Sequence, residues 1–257
     1  MPSSSRRRDL VSVQLGSAPK RQRTRSPASN GIRARTDRAG NEDERERAGQ
    51  KLPEAVRSEI TASVRGSQRD RVLRAMGLAA ESFARGRYTE ALKVLQPVAG
   101  LAPEASSVRE LLGLTFYRLG RWREASRHLG AYHRITGSYD QYPALADCYR
   151  AMGHHRKVEE LCEELRRADP PPDCRVEGRL VLAGSRADRG DLKGAIAVLD
   201  TVPNLRHPAE RHLRQWYALA DLYERAGEIG HARDLFARVV RYDAQAWDAA
   251  ERLAALS

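Results

Sequence analysis

The sequence predicts an all-α chain built from about five helical hairpins, and three observations carry that expectation. From about residue 70 onward Ala, Leu, Arg and Glu dominate, with apolar residues three and four apart, the spacing of one helix face. Five glycines, Gly86, Gly120, Gly153, Gly190 and Gly227, recur at intervals of 34, 33, 37 and 37 residues. The same small and apolar residue types stand at the same distances from every one of them.

Each glycine closes one helical stretch and opens another. It therefore reads as the tight turn of a hairpin, where a positive φ costs little without a Cβ. Eight residues before the glycine stands leucine each time: Leu78, Leu112, Leu145, Leu182 and Leu219. The next position is small: Ala79, Gly113, Ala146, Ala183 and Ala220. Five after the glycine come Ala91, Ala125, Val158, Ala195 and Ala232; nine after it come Leu95, Leu129, Cys162, Leu199 and Phe236. Small residues facing each other at a crossing let two helices approach closely, while larger ones fill the grooves to either side.

These residues resemble the tetratricopeptide repeat (TPR), a 34-residue helical hairpin with a W-x2-L-G-x2-Y…A-x3-F…P pattern. The fullest match is Trp216-Tyr217-Ala218-Leu219-Ala220-Asp221-Leu222-Tyr223 with Ala232 and Phe236; the second repeat matches through Leu112-Gly113, Phe116, Ala125 and Leu129. The resemblance covers about residues 72–244 and implies a right-handed superhelical solenoid. It departs from the pattern where Ala75, Arg109 and Arg179 replace the early tryptophan and Arg186 replaces an aromatic. The closing proline survives only as Pro103 and Pro170. The fourth repeat, entered through Pro170-Pro171-Pro172 and left near Pro203 and Pro208, is the weakest. The body also resembles uncharacterised TPR proteins of high-GC Gram-positive bacteria, through Ile135-Thr136-Gly137-Ser138 and Ala144-Leu145-Ala146-Asp147-Cys148, a likeness that implies no activity.

Stacked repeats need capped ends. Gln245–Leu256 is expected to be a C-terminal capping helix, with Trp247, Ala250, Leu253 and Ala254 on one face. Pro53–Arg65 places Val56, Ile60 and Val64 four apart, a short helix to cover the first hairpin. The domain reading is a basic arm over 1–50, a short capping helix within 51–70 and the repeat body with its capping helix over 71–257.

The 257 residues hold 45 Lys and Arg against 34 Asp and Glu, a net +11, and 40 of the basic residues are arginine. Residues 1–40 contain 10 basic and 2 acidic side chains, so the arm accounts for +8 and the rest for +3. Residues 1–50 lack Phe, Tyr and Trp and are rich in Ser, Arg, Pro and Gly, a composition read as disordered because it cannot offset its ordering entropy. Arg6, Arg7 and Arg8 form one cluster and Lys20, Arg21, Arg23 and Arg25 another. Guanidinium forks match phosphate oxygens, which makes an RNA- or nucleoid-associated protein the alternative function. The competing reading is an unselected extension in a GC-rich genome, and the missing aromatic interleaving weighs against single-strand stacking. A third reading docks the arm in the chain's own groove.

No run approaches the ~20 apolar residues of a spanning helix. The weakly apolar Leu10–Leu15 is too short and interrupted for a secretory signal, so the cytoplasm is the expected compartment. Three cysteines cannot make a disulfide scaffold. Neither phosphate-cradling glycine motif occurs. Cys148, Cys162 and Cys174 match no zinc spacing and read as buried thiols; His154-His155 and the pair His207 and His212 have poor metal geometry. No catalytic residue, metal or cofactor is expected.

In a TPR the first helix of each hairpin lines the concave groove. Counted from the turn glycine, the groove-facing residues include Glu110 and Tyr117, Asp147 and Arg150, Glu177, Gly184 and Asp188, then Arg214, Tyr217, Asp221 and Glu224. No lysine or asparagine stands among them, so a clamp for a C-terminal carboxylate is not expected. Two tyrosines, a glycine and surplus acid suit an extended or helical protein segment, basic or amphipathic. The expected function is a non-catalytic adaptor, with Tyr117, Asp147, Arg150, Gly184, Tyr217, Asp221 and Glu224 as its contacts. Against it stands the reading of these charges as a solvated face with local i, i+4 pairs.

Overall fold

A computed structural model of the chain describes residues 52–201 and 205–256. The arm, with Arg6, Arg7, Arg8, Lys20, Arg21, Arg23 and Arg25, lies outside them, as does Pro203. Among the described residues there are twelve α-helices and no strand. They form two compact units, one ending at Ala144 and one beginning at Leu145. The first unit holds α1 (Glu54–Ser63) and two hairpins, α2 (Gln68–Ala84) with α3 (Tyr88–Ala99) and α4 (Ser106–Arg118) with α5 (Trp122–Thr136). The boundary falls within α6 (Tyr142–Ala151). The second unit continues with α7 (His155–Ala168), α8 (Pro172–Asp188), α9 (Leu192–Leu199), α10 (Glu210–Arg225), α11 (Ile229–Tyr242) and α12 (Ala249–Ala255).

One turn geometry recurs five times. Gly86, Gly120, Gly153, Gly190 and Gly227 all have φ between +70° and +82°. In each case the glycine N–H donates to the carbonyl three residues back and the following N–H to the carbonyl five back, as in Arg87 to Ser82 at 2.8 Å and Glu228 to Tyr223 at 2.9 Å. This Schellman pattern satisfies two carbonyls that the ending helix leaves open. The residue after the glycine then accepts the first bond of the next helix, from Ala91, Ala125, Val158, Ala195 and Ala232.

Those five donor residues are all 0 % exposed, and Ala79, Gly113, Ala146, Ala183 and Ala220 on the preceding helices are buried too. Leu95, Leu129, Cys162, Leu199 and Phe236 complete the buried layer. The leucines eight before the turn divide: Leu112, Leu145 and Leu219 are buried, whereas Leu78 and Leu182 are half-buried. The approach is close at Gly113, where a Cβ would stand 2.5 Å from Leu129 Cδ2 and 2.7 Å from its Cγ.

A helix stands at either end of the described residues. In α1, Val56 and Ile60 are buried, with Val64 just beyond, and Glu59 reaches the open N-terminus of α4. Its carboxylate accepts from the Ser106 N–H (2.6 Å), the Ser106 hydroxyl (2.5 Å) and the Ser107 N–H (3.1 Å). The C-terminal helix corrects the expected Gln245–Leu256. Trp247 takes a left-handed φ of +50°, so the helix starts only at Ala249. The buried residues are Ala246 and Ala249, with Leu253 and Leu256 partly buried, while Trp247 is 50 % exposed and Ala250 and Ala254 face solvent.

Candidate interaction face

In the second unit, the first helices of successive hairpins, and α10 with the C-terminal helix α12, are joined by arginines that each meet two carboxylates. Between α6 and α8, Arg150 forks onto Asp188 (Nε to Oδ2 2.7 Å, Nη2 to Oδ1 3.2 Å) and donates to Asp147 Oδ1 at 3.4 Å. Between α8 and α10, Arg214 donates to Glu177 and, at 2.8 Å, to Glu210. A flanking pair, Arg211 with Asp173, joins the same two helices at 3.1 Å. Between α10 and α12, Arg252 donates to Asp221 Oδ1 at 2.9 Å and to Glu224 Oε2 at 2.7 and 3.1 Å.

The Arg252 cluster is the most elaborate. Its guanidinium lies 4.6 Å from the Phe236 ring centroid and 5.6 Å from that of Tyr217, and Nη1 is 3.3 Å from the Tyr217 hydroxyl. Tyr217 donates in turn to Asp248 Oδ1 at 2.5 Å, and its ring meets Trp247 at 5.0 Å between centroids. Burial and the Asp248 carboxylate both push the Tyr217 phenol up. Burial works against the Arg252 charge, but bonds to Tyr217, Glu224 and Asp221 outweigh it and raise its pKa.

The sequence-predicted contacts fall into three groups. Asp147, Arg150 and Gly184 are brought together, with the Arg150 guanidinium lying over the Gly184 backbone. Tyr217, Asp221 and Glu224 are also brought together, around Arg252. Tyr117, in the first unit, is 2 % exposed and packs edge-on against Trp122 at 5.5 Å, so it is a core residue and not a presented groove contact. Asp147 is likewise buried, at 8 % exposed. The two aspartates six before the turn, Asp147 and Asp221, act alike in that each anchors an arginine.

The surplus acid is therefore neither an open row of carboxylates nor only i, i+4 pairing. Sequence reasoning missed Arg252, Asp248 and Glu210. The pairs Glu177 with Arg214 and Asp173 with Arg211 lie 37 and 38 residues apart, and Arg150 with Asp188 lies 38, each within one residue of the 37-residue repeat interval there. Opposite charges at that interval were the available signal. Burial raises the Glu177 carboxyl even though Arg214 pulls it down. In the first unit α4 carries Glu110, whose Oε1 accepts from Gln141 at 2.8 Å. Burial, with Asp140 and Glu59 adding to it, pushes Glu110 up to about 7.

The thiols and imidazoles fit packing roles. Cys148 and Cys162 are buried, and burial raises both, Cys162 to about 12. His155 Nδ1 lies 2.9 Å from the Ser185 hydroxyl. Among the described residues no group of three or more His, Cys, Asp and Glu is placed to hold a metal ion. Nor is any described helix long and apolar enough to cross a membrane.

No family model matches the chain, and no curated protein matches it. Solved structures do. The chain is similar to TTC0263, a thermophilic TPR protein of Thermus thermophilus, with a TM-score of 0.55 and 18 % identity over 74 % of this chain and 98 % of that one. It is similar to the TPR-like repeats of a putative kinesin light chain of Podosopora anserina, with a TM-score of 0.54 and 19 % identity over 68 % and 95 % of the two chains. It also resembles a chain of the APC/C hetero-tetramer Cut9–Hcn1, with a TM-score of 0.57 and 12 % identity over 82 % of this chain and 40 % of that one. Together with the recurring glycine turn and its buried crossing, these likenesses establish the fold as that of the tetratricopeptide repeat, an all-α helical-repeat solenoid.

Proposed function

We propose that this chain is a non-catalytic adaptor that holds a basic segment of a partner protein against the first-helix face of its second unit. The observation that carries this is the charge count of the clusters. Arg150 faces Asp147 and Asp188, Arg214 faces Glu177 and Glu210, and Arg252 faces Asp221 and Glu224. Arg150 and Arg214 are outnumbered, leaving about one negative charge in each of those two clusters for a cationic partner, while Arg225, 3.6 Å from Asp221, brings the Arg252 cluster to balance. A structurally similar chain is named with a partner, in the Cut9–Hcn1 hetero-tetramer, which supports a partner-holding role. None of the arm residues considered for nucleic acid lies among the described residues.

Co-purification from nuclease-treated native lysate tests the reading, comparing the wild type with Asp188→Lys/Glu210→Lys. Both changes fall on the better-exposed partner of each pair. A protein with an Arg- or Lys-rich segment should be recovered by the wild type and lost by the variant. Equal recovery by both would sink the assignment.

A further inference from the structure

The Arg252 cluster already contains an arginine, and so reports what it binds. The guanidinium is bounded by two aromatic faces, Phe236 and Tyr217, and by two carboxylates, Asp221 and Glu224. Rings supply cation–π attraction and carboxylates supply charge-assisted hydrogen bonds, a combination suited to guanidinium. The four walls belong to α10 and α11; only the occupant comes from α12. We infer that this is an arginine-recognition site of the last hairpin, held by Arg252 as an internal stand-in, and that a partner segment carrying arginine takes its place as α12 swings away. The inference rests on the adaptor reading and names the partner side chain at one position of it.

The way α12 is attached favours exchange. It has seven residues, and Ala249 is its one buried residue. Leu253 and Leu256 are only partly covered. The segment leading to it, residues 241–245, is exposed throughout. Trp247, in that connection, sits at φ +50°, a conformation disfavoured for a bulky L-residue. Elements with little apolar burial open at the low end of the stability range. Arg252 thus supplies the charged anchor of a short helix on a strained tether, beside the buried Ala246 and Ala249 and the Tyr217–Asp248 bond.

The test uses the full chain and a synthetic peptide of residues 243–256, with a second peptide bearing Arg252→Ala. An intramolecular helix on a short connection competes at an effective concentration of millimolar order, so wild-type protein should bind the peptide weakly. The Arg252→Ala chain, its site vacated, should bind the arginine peptide about tenfold or more tightly than the wild type does, and should not bind the alanine peptide. Hydrogen exchange on the wild-type chain at several millimolar peptide gives an independent readout that needs no variant. Exchange across residues 249–255 of the chain should rise with the arginine peptide alone. Equal binding by the two chains, equal binding of the two peptides, or unchanged exchange overturns the inference. Such a failure leaves the adaptor reading standing, because that is tested at Asp188 and Glu210, outside this site.

Discussion

Arg150 crosses α8 at Gly184: a Cβ on that glycine would stand 2.6 Å from the guanidinium carbon. The glycine sits inside a helix, where it costs roughly 1 kcal/mol relative to alanine. What it makes room for is the fork from Arg150 to Asp188. Gly184→Ala should gain that helix propensity while pushing the flexible guanidinium off Asp188. The displaced pair is about one-third exposed, so losing it costs no more than ~1 kcal/mol. Urea denaturation should therefore place the variant within about 1 kcal/mol of the wild type. Partner recovery should nonetheless fall, because the cluster is rearranged. Normal recovery with normal stability would remove Gly184 from the interaction face.

Gly113→Ala tests the opposite situation. Its Cβ would meet Leu129 Cγ at 2.7 Å and the Leu129 backbone nitrogen at 3.1 Å, inside a packed crossing with no free end to move. Overpacking of this kind costs about 1–3 kcal/mol. A thermal melt of the variant should show a clear loss, in contrast to Gly184→Ala.

The first unit should respond to pH through two groups with opposite signs. Glu110, raised to about 7, keeps its proton in the fold after an unfolded chain has lost it. Its contribution is present below about pH 4.5 and is lost as pH rises through 7. Glu110→Gln should therefore stabilise the protein at pH 8 and change little at pH 4. His128 stacks on Phe116, and burial, with Arg109 and Arg127 adding to it, lowers it to about 4. Its contribution is present above about pH 6.5 and is lost as pH falls through 4. His128→Phe should lessen that acid loss. Denaturation midpoints of each variant against the wild type between pH 4 and 8 separate the two.

Glu59→Ala should detach α1 from the start of α4. The carboxylate accepts two backbone N–H bonds and one hydroxyl bond there. Losing an anionic cap at a helix N-terminus costs about 1–2 kcal/mol. Hydrogen exchange should accelerate at Ser106 and Ser107 and across Glu54–Ser63; protection equal to the wild type's would refute the pinning role.

How much of the molecule is legible in its residues depends on the range of the cause. A turn that needs positive φ writes a glycine at that position, and a close crossing writes small residues seven before and five after it. Gly86 to Gly227 and Ala91 to Ala232 are therefore readable, and every one occupies its expected place. Glycines inside helices are harder. Gly113 follows the repeat register, whereas Gly184 makes sense only once Arg150 is seen above it.

Tyr117 and Trp247 mark where local reasoning ends, because counting along an ideal helix misplaces both. The Tyr117 ring turns inward because Trp122, across the hairpin turn, offers it an edge to pack against. Trp247 leaves the helical region, which delays α12 and brings Arg252 over Tyr217. Hairpin turns and apolar registers follow from backbone sterics and burial, which act between near neighbours and repeat with the chain. Charge pairing depends on which side chains stacking brings within hydrogen-bond reach, and that distance is set by neighbouring helices. The repeat can therefore be read from the residues in order, while the occupant of the Asp221 and Glu224 cluster is decided by the packing of α12.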